Sequence, residues 1–250
     1  MSPLNDPPVG LRTLSGRIGS LTIIRAHYGL YLTERVMFPG RRPWCVHGRT
    51  IARFSCGAPI IGTGTLIGEQ HVLTAAHCLF TRDRGEAASV TFVPGFHKQG
   101  GVVVAPHGRF DHDQLHVHTE YRETESRNAD YAVFSLSRPV PAEIGWVDGL
   151  RVLDNKTLRR ALIHIRGAPD LTGDDIDFHE VHGPVKRVYT RAFRHKLDTE
   201  PGISGAGITV KSPQGELLVG IHLGTIGSSN YAIRMTAQTV ENINRWVARL

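Results

Sequence analysis

Short apolar runs recur about every 8–12 residues along most of this chain, each closed by Gly, Pro, Asn or Asp, and this rhythm is the strongest constraint on its fold. Helices would show a period of roughly 3.6 residues sustained over longer windows. Strands need only a few β-branched or aromatic positions and a turn. The 27 glycines and 14 prolines supply the turns. A chain of 250 residues, 40% of them hydrophobic, can bury its core as one large β domain or as two small barrels. The spacing predicts an all-β architecture.

Taken in order, residues 50–54 lead into the apolar run 60–67, the turn Gly68, Glu69 and Gln70, and a strand over 71–74, which together read as a β-hairpin. Residues 128–136 put an acid at the entry to an alternating apolar strand, and further strands are expected at 160–165, 185–189 and 192–195, with the acidic stretch 170–175 as an exposed loop. Residues 206–210 and 216–221 flank the turn 211–215 as a second hairpin. Val240, Ile243, Val247 and Leu250 fall at helical intervals and predict a C-terminal helix packed on the β-structure. Upstream of Arg35 stand a Pro-rich start and the apolar runs 21–24 and 28–32, which read as one or two strands, an extra strand layer or a pro-segment.

Composition removes several function classes. The 29 Lys+Arg against 23 Asp+Glu give a net charge of +6, but the positive residues are dispersed and form no nucleic-acid motif, so they read as a solvated surface. No run reaches the ~18–20 apolar residues of a membrane helix. The first eight residues lack the charged-then-apolar build of a secretory signal, which leaves an intracellular chain or one from which a signal has been removed. Cys45, Cys56 and Cys78 are an odd number without C-x-x-C spacing, so at most one internal disulfide forms and no zinc or redox motif is present. His107, His112, His116 and His118 stand with Asp111 and Asp113 at irregular spacing. They read as a polar loop leading into a strand, and neither a metal nor a cofactor is expected.

Three short segments carry chemistry. Residues 198–205 place one hydroxyl, Ser204, in a Gly-Pro-rich turn; a serine becomes a nucleophile only when a base takes its proton. His77 follows a strand and can shuttle that proton. Asp130 stands at the entry to an apolar strand, where a carboxylate can orient a histidine. Each alone has an ordinary reading: a turn serine, a turn histidine, an aspartate capping its own backbone.

Together these segments resemble a known family. Gly62-Thr63-Gly64-Thr65-Leu66-Ile67 followed by Val72-Leu73-Thr74-Ala75-Ala76-His77-Cys78 resembles the surroundings of the catalytic histidine in chymotrypsin-fold serine proteases. Asp130-Tyr131-Ala132-Val133, the run 198–205 and Gly220-Ile221-His222 are similar to the glutamyl-endopeptidase (V8-like) branch of that fold. The resemblance covers most of residues 36–250. It implies two six-stranded antiparallel β-barrels with a C-terminal α-helix, and a triad of His77, Asp130 and Ser204 in the His…Asp…Ser order of chymotrypsin. The backbone N–H groups of Gly202 and Ser204 would form the oxyanion hole.

The same resemblance implies a protease domain over 35–250, preceded by residues 1–34 as an extension or a pro-segment removed by an activating protease or controlled by a regulatory partner. The substrate would be a protein or peptide, paired along Leu223, Gly224 and Thr225. Thr199 and His222 match positions that bind an acidic side chain, implying cleavage after Glu or Asp. Asp198 stands where an acid selects Lys or Arg in the wider fold and offers the alternative, and a non-catalytic peptide-binding module is the alternative of another class. Two departures stand out. Ser204-Gly205-Ala206-Gly207 lacks the usual Pro, and Gly62 occupies the place of the cysteine that pairs with the equivalent of Cys78 in relatives. Cys78 is therefore free, or pairs with Cys45 or Cys56.

Overall fold

Burial with a period of two marks the strands: along Ser89–Pro94, Val90 and Phe92 are fully buried while Ser89 and Thr91 are not. The computed structural model describes residues 32–213 and 215–250, and upstream the short strands Arg17–Ile18, Leu21–Thr22, Arg25–Ala26 and Gly29–Leu30. The remainder of the runs expected at 21–24 and 28–32, and Gln214 in the second hairpin turn, lie outside the described residues.

The first strand, β1 (Leu32–Arg35), precedes six that close on themselves: β2 (His47–Arg53), β3 (Ile60–Leu66), β4 (His71–Thr74), β5 (Ser89–Pro94), β6 (Phe110–Val117) and β7 (Ala132–Leu136). They form a closed barrel in the order β5-β6-β7-β4-β3-β2. Its interior holds Leu66, Val72, Phe92 and Phe134, with the two phenylalanines edge to face at 6.5 Å between centroids.

A second six form the other barrel: β8 (Leu162–Gly167), β9 (His179–Val188), β10 (Ala192–His195), β11 (Gly207–Ser212), β12 (Gly215–Ile226) and β13 (Ser229–Arg234). Their order is β9-β8-β11-β12-β13-β10, closed by pairing of β9 with β10. The expected pair of six-stranded antiparallel barrels is thus present. Strand β1 adds to the outside of β9, with Arg35 opposite His179 and Leu32 opposite His182. The expected boundary between residues 34 and 35 therefore falls inside a paired strand.

The C-terminal helix α1 (Ala237–Val247) is capped by Thr236, whose hydroxyl accepts from the Thr239 N–H at 3.1 Å. It docks on the first barrel through Ile243 and through Trp246, which lies against Tyr131, His116 and His118. The stretch 107–118, expected as a polar loop leading into a strand, is already strand β6 over most of its length. A register shift between His112 and Leu115 breaks the alternation that would have marked it. Its histidines are engaged structurally: His112 accepts from the Val90 N–H, and His118 accepts from the Glu120 N–H.

The second barrel encloses a charged cluster. Arg166 has a fully buried side chain, with Nη2 bonded to Glu180 at 2.9 Å and Glu216 at 2.6 Å. Glu180 also accepts from His164 at 2.7 Å and from the Trp44 indole at 2.8 Å. Burial opposes ionisation of Glu180, yet the His164 and Arg166 contacts hold its carboxyl well below the ordinary range. Because Trp44 lies just before β2, this cluster also ties the two barrels together.

Candidate active site

The loops between the barrels bring His77 and Asp130 together. Strand β4 ends at Thr74, and the chain turns into the short helix Ala76–Cys78, which carries His77. Another short helix, Arg127–Ala129, delivers Asp130 just ahead of β7. The pairing of β7 with β4 sets Ala132 opposite Thr74, so the two short helices meet at the same end of the barrel. Asp130 is buried and grips His77 twice: Oδ1 accepts from the backbone N–H at 2.9 Å, and Oδ2 from Nδ1 at 2.8 Å. The His77 side chain is 31% exposed, so one edge of the ring is open to a reactant.

Burial opposes protonation of His77. The adjacent Cys78 sulfur and the Asp130 carboxylate favour it more strongly, holding the imidazole well above the usual histidine range.

Ser204 comes from the second barrel, on the turn ahead of β11, and this turn is strapped to the first barrel by Thr63. The Thr63 N–H donates to the Ser204 carbonyl at 2.8 Å, and its hydroxyl to the Gly202 carbonyl at 2.7 Å. Gly205 sits at φ +88°, where an added Cβ would come within 2.4 Å of the Thr63 carbonyl oxygen. Gly202 has φ +91°, and a Cβ there would lie 2.5 Å from the Asp170 nitrogen. Both positions require glycine by conformation and by close approach. Among the described residues the N–H groups of Gly202 and Ser204 make no backbone hydrogen bond, whereas those of Ile203, Gly205 and Ala206 all do.

The Ser204 hydroxyl donates to the Leu223 carbonyl at 3.1 Å, and no hydrogen bond links it to His77. With one proton, the hydroxyl serves one acceptor at a time. Leu223, Gly224 and Thr225 line the same cleft as His77, Asp130, Tyr121 and Arg127. Asp198 and Thr199 do not line that cavity. Together with Glu200 they line another, walled by Thr33 of β1, Gly167 of β8 and His179 of β9.

His222 is buried beside the Ser204 turn, its carbonyl accepting from the Gly205 N–H at 2.7 Å. Its partner, His195, is a residue the sequence reading did not single out. The Leu197 N–H donates to His195 Nδ1 at 3.3 Å, so the proton of neutral His195 sits on Nε2 and is donated to His222 Nδ1 at 3.2 Å. Neutral His222 then carries its own proton on Nε2. Among the described residues that N–H has no hydrogen-bond partner, although His222 as a whole is only 1% exposed. Burial, reinforced by His77, lowers the His222 pKa to about 3; burial also holds His195 well below its ordinary value. Asn230, likewise unforeseen, bridges the pocket walls by accepting from Thr225 at 2.7 Å and donating to the Leu197 carbonyl at 2.7 Å.

These neutral histidines, with His47 also lowered to about 3 by burial, give a pH prediction. Above the ordinary value of 6.5 neither folded nor unfolded state protonates them, and stability is unaffected. Below it the unfolded chain binds protons first, costing about 1.4 kcal/mol per pH unit for each group until the folded value is reached. Melting temperature should therefore fall steadily from pH 6.5 towards pH 3, where a flat profile would contradict the burial of neutral imidazoles.

All three cysteines are free; Cys45 and Cys78 are buried and Cys56 is exposed. A Cβ added at Gly62 would lie 2.7 Å from Cys78 Sγ, close to the reach of a disulfide. Gly62→Cys should then form a 62–78 bond under oxidising conditions, seen as a mass loss of about 2 Da and a stabilisation of ~3 kcal/mol. A reduced pair with a lower melting temperature would count against that geometry.

Two closed β-barrels with a histidine–carboxylate pair and a glycine-bracketed serine at their junction define the chymotrypsin-type serine protease class. A family model described as a trypsin-like peptidase domain matches residues 62–221, and the chain belongs to that family. It is 26% identical over 194 residues to glutamyl endopeptidase of Bacillus licheniformis, covering 74% of this chain and 58% of that protein. It is 25% identical over 188 residues to a Bacillus subtilis protein named extracellular metalloprotease, covering 74% and 57%. The chain thus spans less than two thirds of the length of these curated relatives.

Among the described residues no group of three or more His, Cys, Asp or Glu side chains is placed to hold a metal ion. A solved Glu endopeptidase in complex with MPD is similar in fold, with TM-score 0.73 at 24% identity over 86% of this chain and 96% of that one. Protease Anisep from Arthrobacter nicotinovorans gives TM-score 0.63 at 16% identity, covering 80% and 94%. The expected resemblance to a chymotrypsin-fold protease of the glutamyl-endopeptidase branch is borne out.

Proposed function

We propose that the protein is a serine endopeptidase that hydrolyses peptide bonds through an acyl-enzyme on Ser204 and cleaves after Glu or Asp. The observation that carries the first part is the double grip of Asp130 on His77, which fixes the ring with Nδ1 as donor and leaves Nε2 as the acceptor facing the cleft. A peptide laid along Leu223, Gly224 and Thr225 as an added strand would offer its own N–H to the Leu223 carbonyl. The Ser204 hydroxyl, displaced from that acceptor, turns by one staggered well toward His77.

His77 then takes the proton as Ser204 attacks the carbonyl carbon, and returns it to the leaving amine. The N–H groups of Gly202 and Ser204, uncommitted in the backbone, receive the developing oxyanion. Water hydrolyses the acyl-enzyme by the same proton shuttle in reverse.

The acidic preference is supported by His222, a neutral imidazole whose Nε2–H is left as a donor beside Ser204. Asp198 lines the neighbouring cavity with Thr199 and Glu200 and not the catalytic cleft, which relieves the repulsion that an unscreened carboxylate would exert on an acidic substrate. Digestion of a peptide library read by mass spectrometry tests this. Cuts after Glu, with fewer after Asp, are expected; cuts after Lys or Arg would transfer the role to Asp198, and no hydrolysis by folded protein would favour a peptide-binding module.

His222→Leu should lower kcat/KM on a Glu substrate by about 10²-fold, since a buried donor built for the substrate is lost. Labelling of Ser204 by a fluorophosphonate should persist in that variant. Equal loss of labelling would assign His222 a role in holding the serine turn instead.

We also propose that residues 1–34 are an extension to the protease domain over 35–250 whose part upstream of β1 is removed by an activating protease, since Leu32–Arg35 stay paired with β9. N-terminal sequences of active material beginning near Leu32 would support this, and an intact Met1 would count against it.

A further inference from the structure

We propose that the pocket lined by Asn128, Tyr189, Thr190, Arg191, Arg194 and Tyr231 is a second substrate subsite, which takes an acidic side chain on the fourth residue upstream of the scissile bond. The inference rests on the reading of the cleft as a peptide site.

Position comes from the strands. Tyr231 of β13 pairs opposite Gly224 of β12, the residue that lines the catalytic cleft, and its hydroxyl donates to Asn128 Oδ1 at 2.8 Å. Asn128 lines this pocket while its neighbour Arg127 lines the cleft with His77 and Asp130. The pocket therefore begins where the cleft ends, on the side toward which β12 runs away from Ser204. A peptide added antiparallel to Leu223–Gly224–Thr225 sends its upstream residues in that direction. Its side chains alternate between faces. The one next to the acylated residue meets the His77 wall, and the one two residues farther upstream, on the same face, meets Asn128 and Arg191.

Charge comes from the arginines. Arg191 spends its guanidinium on Glu120, with contacts of 3.2 and 2.9 Å. Arg194 lies 5.9 Å from the Tyr189 ring centroid, which Arg187 also faces at 5.2 Å. Among the described residues neither Arg127 nor Arg194 forms an ion pair, and Arg194 Nε is buried without a partner. One carboxylate therefore faces several guanidinium groups, and an arriving carboxylate finds fork-shaped donors in place. Burial raises the Tyr231 phenol, and the positive charges of Arg194, Arg127 and Arg191 oppose that shift.

The test uses the full chain with Ser204→Ala, so that binding is read apart from turnover. Two fluorescent peptides share Glu at the cleavage position and differ only in Glu or Gln three residues before it. Anisotropy should show the Glu peptide binding about tenfold tighter, with the difference shrinking in high salt. Arg194→Gln should reduce that ratio to about twofold, and Glu120→Gln, by freeing Arg191, should increase it. Equal affinities, or a ratio that neither variant moves, would overturn the proposal. Discrimination in binding by a protein whose Ser204 form hydrolyses neither peptide would count against the proposed protease activity and leave the subsite standing.

Discussion

Replacing Ser204 with alanine should lower kcat for peptide hydrolysis by about 10⁶-fold, the scale seen when a triad nucleophile is removed. The prediction follows from placement. The hydroxyl stands on a turn held rigidly by Thr63 and Gly205, and no other hydroxyl shares that position between His77 and the uncommitted N–H groups of Gly202 and Ser204. Melting temperature should hardly move, since the hydroxyl's hydrogen bond to the Leu223 carbonyl is replaceable by water in an open cleft. A loss much smaller than 10³-fold would mean that catalysis runs through another residue.

Asp130→Asn should cost about 10⁴-fold in kcat, the magnitude typical of such triads. Both carboxylate oxygens are in use, one on the His77 N–H and one on Nδ1. An asparagine can keep its oxygen on the backbone N–H only by turning its NH₂ toward Nδ1. The ring must then accept at Nδ1 and carry its proton on Nε2, where it can no longer take one from Ser204. The charge effect has its own signature. His77 is held well above the ordinary range, in part by Asp130, so wild-type kcat/KM should rise with pH on the alkaline side of an ordinary histidine. In Asp130→Asn the residual activity should rise at lower pH; an unchanged profile would remove Asp130 as a source of the shift.

Much of this was legible in the chain because the informative segments are short and contiguous. The turn rhythm announced the strands, and His77, Asp130 and Ser204 each sit in a run whose local chemistry is readable. Thr63, His195 and Asn230 were not singled out, because each acts across strands far apart in sequence. Thr63 reaches a turn some 140 positions later, and the His195–His222 pair exists only through the register of β10, β13 and β12. The cavity that Asp198 lines depends on β1, a strand added from upstream of the expected domain. Strand β6 is legible only as a polar loop leading into a strand, because its register shift interrupts the alternation on which strand reading depends. Cys78 is free, one of the possibilities the sequence leaves open, and the position beside its sulfur is held by Gly62.

The most direct measurement is labelling with a fluorophosphonate, which reacts only where a serine is activated by a base and faced by an oxyanion hole. One equivalent should attach to Ser204 in the wild-type chain, and none in Ser204→Ala. Absence of labelling in well-folded wild-type protein freed of the segment upstream of β1, or labelling that survives Ser204→Ala, would contradict the assignment of Ser204 and His77 as nucleophile and base.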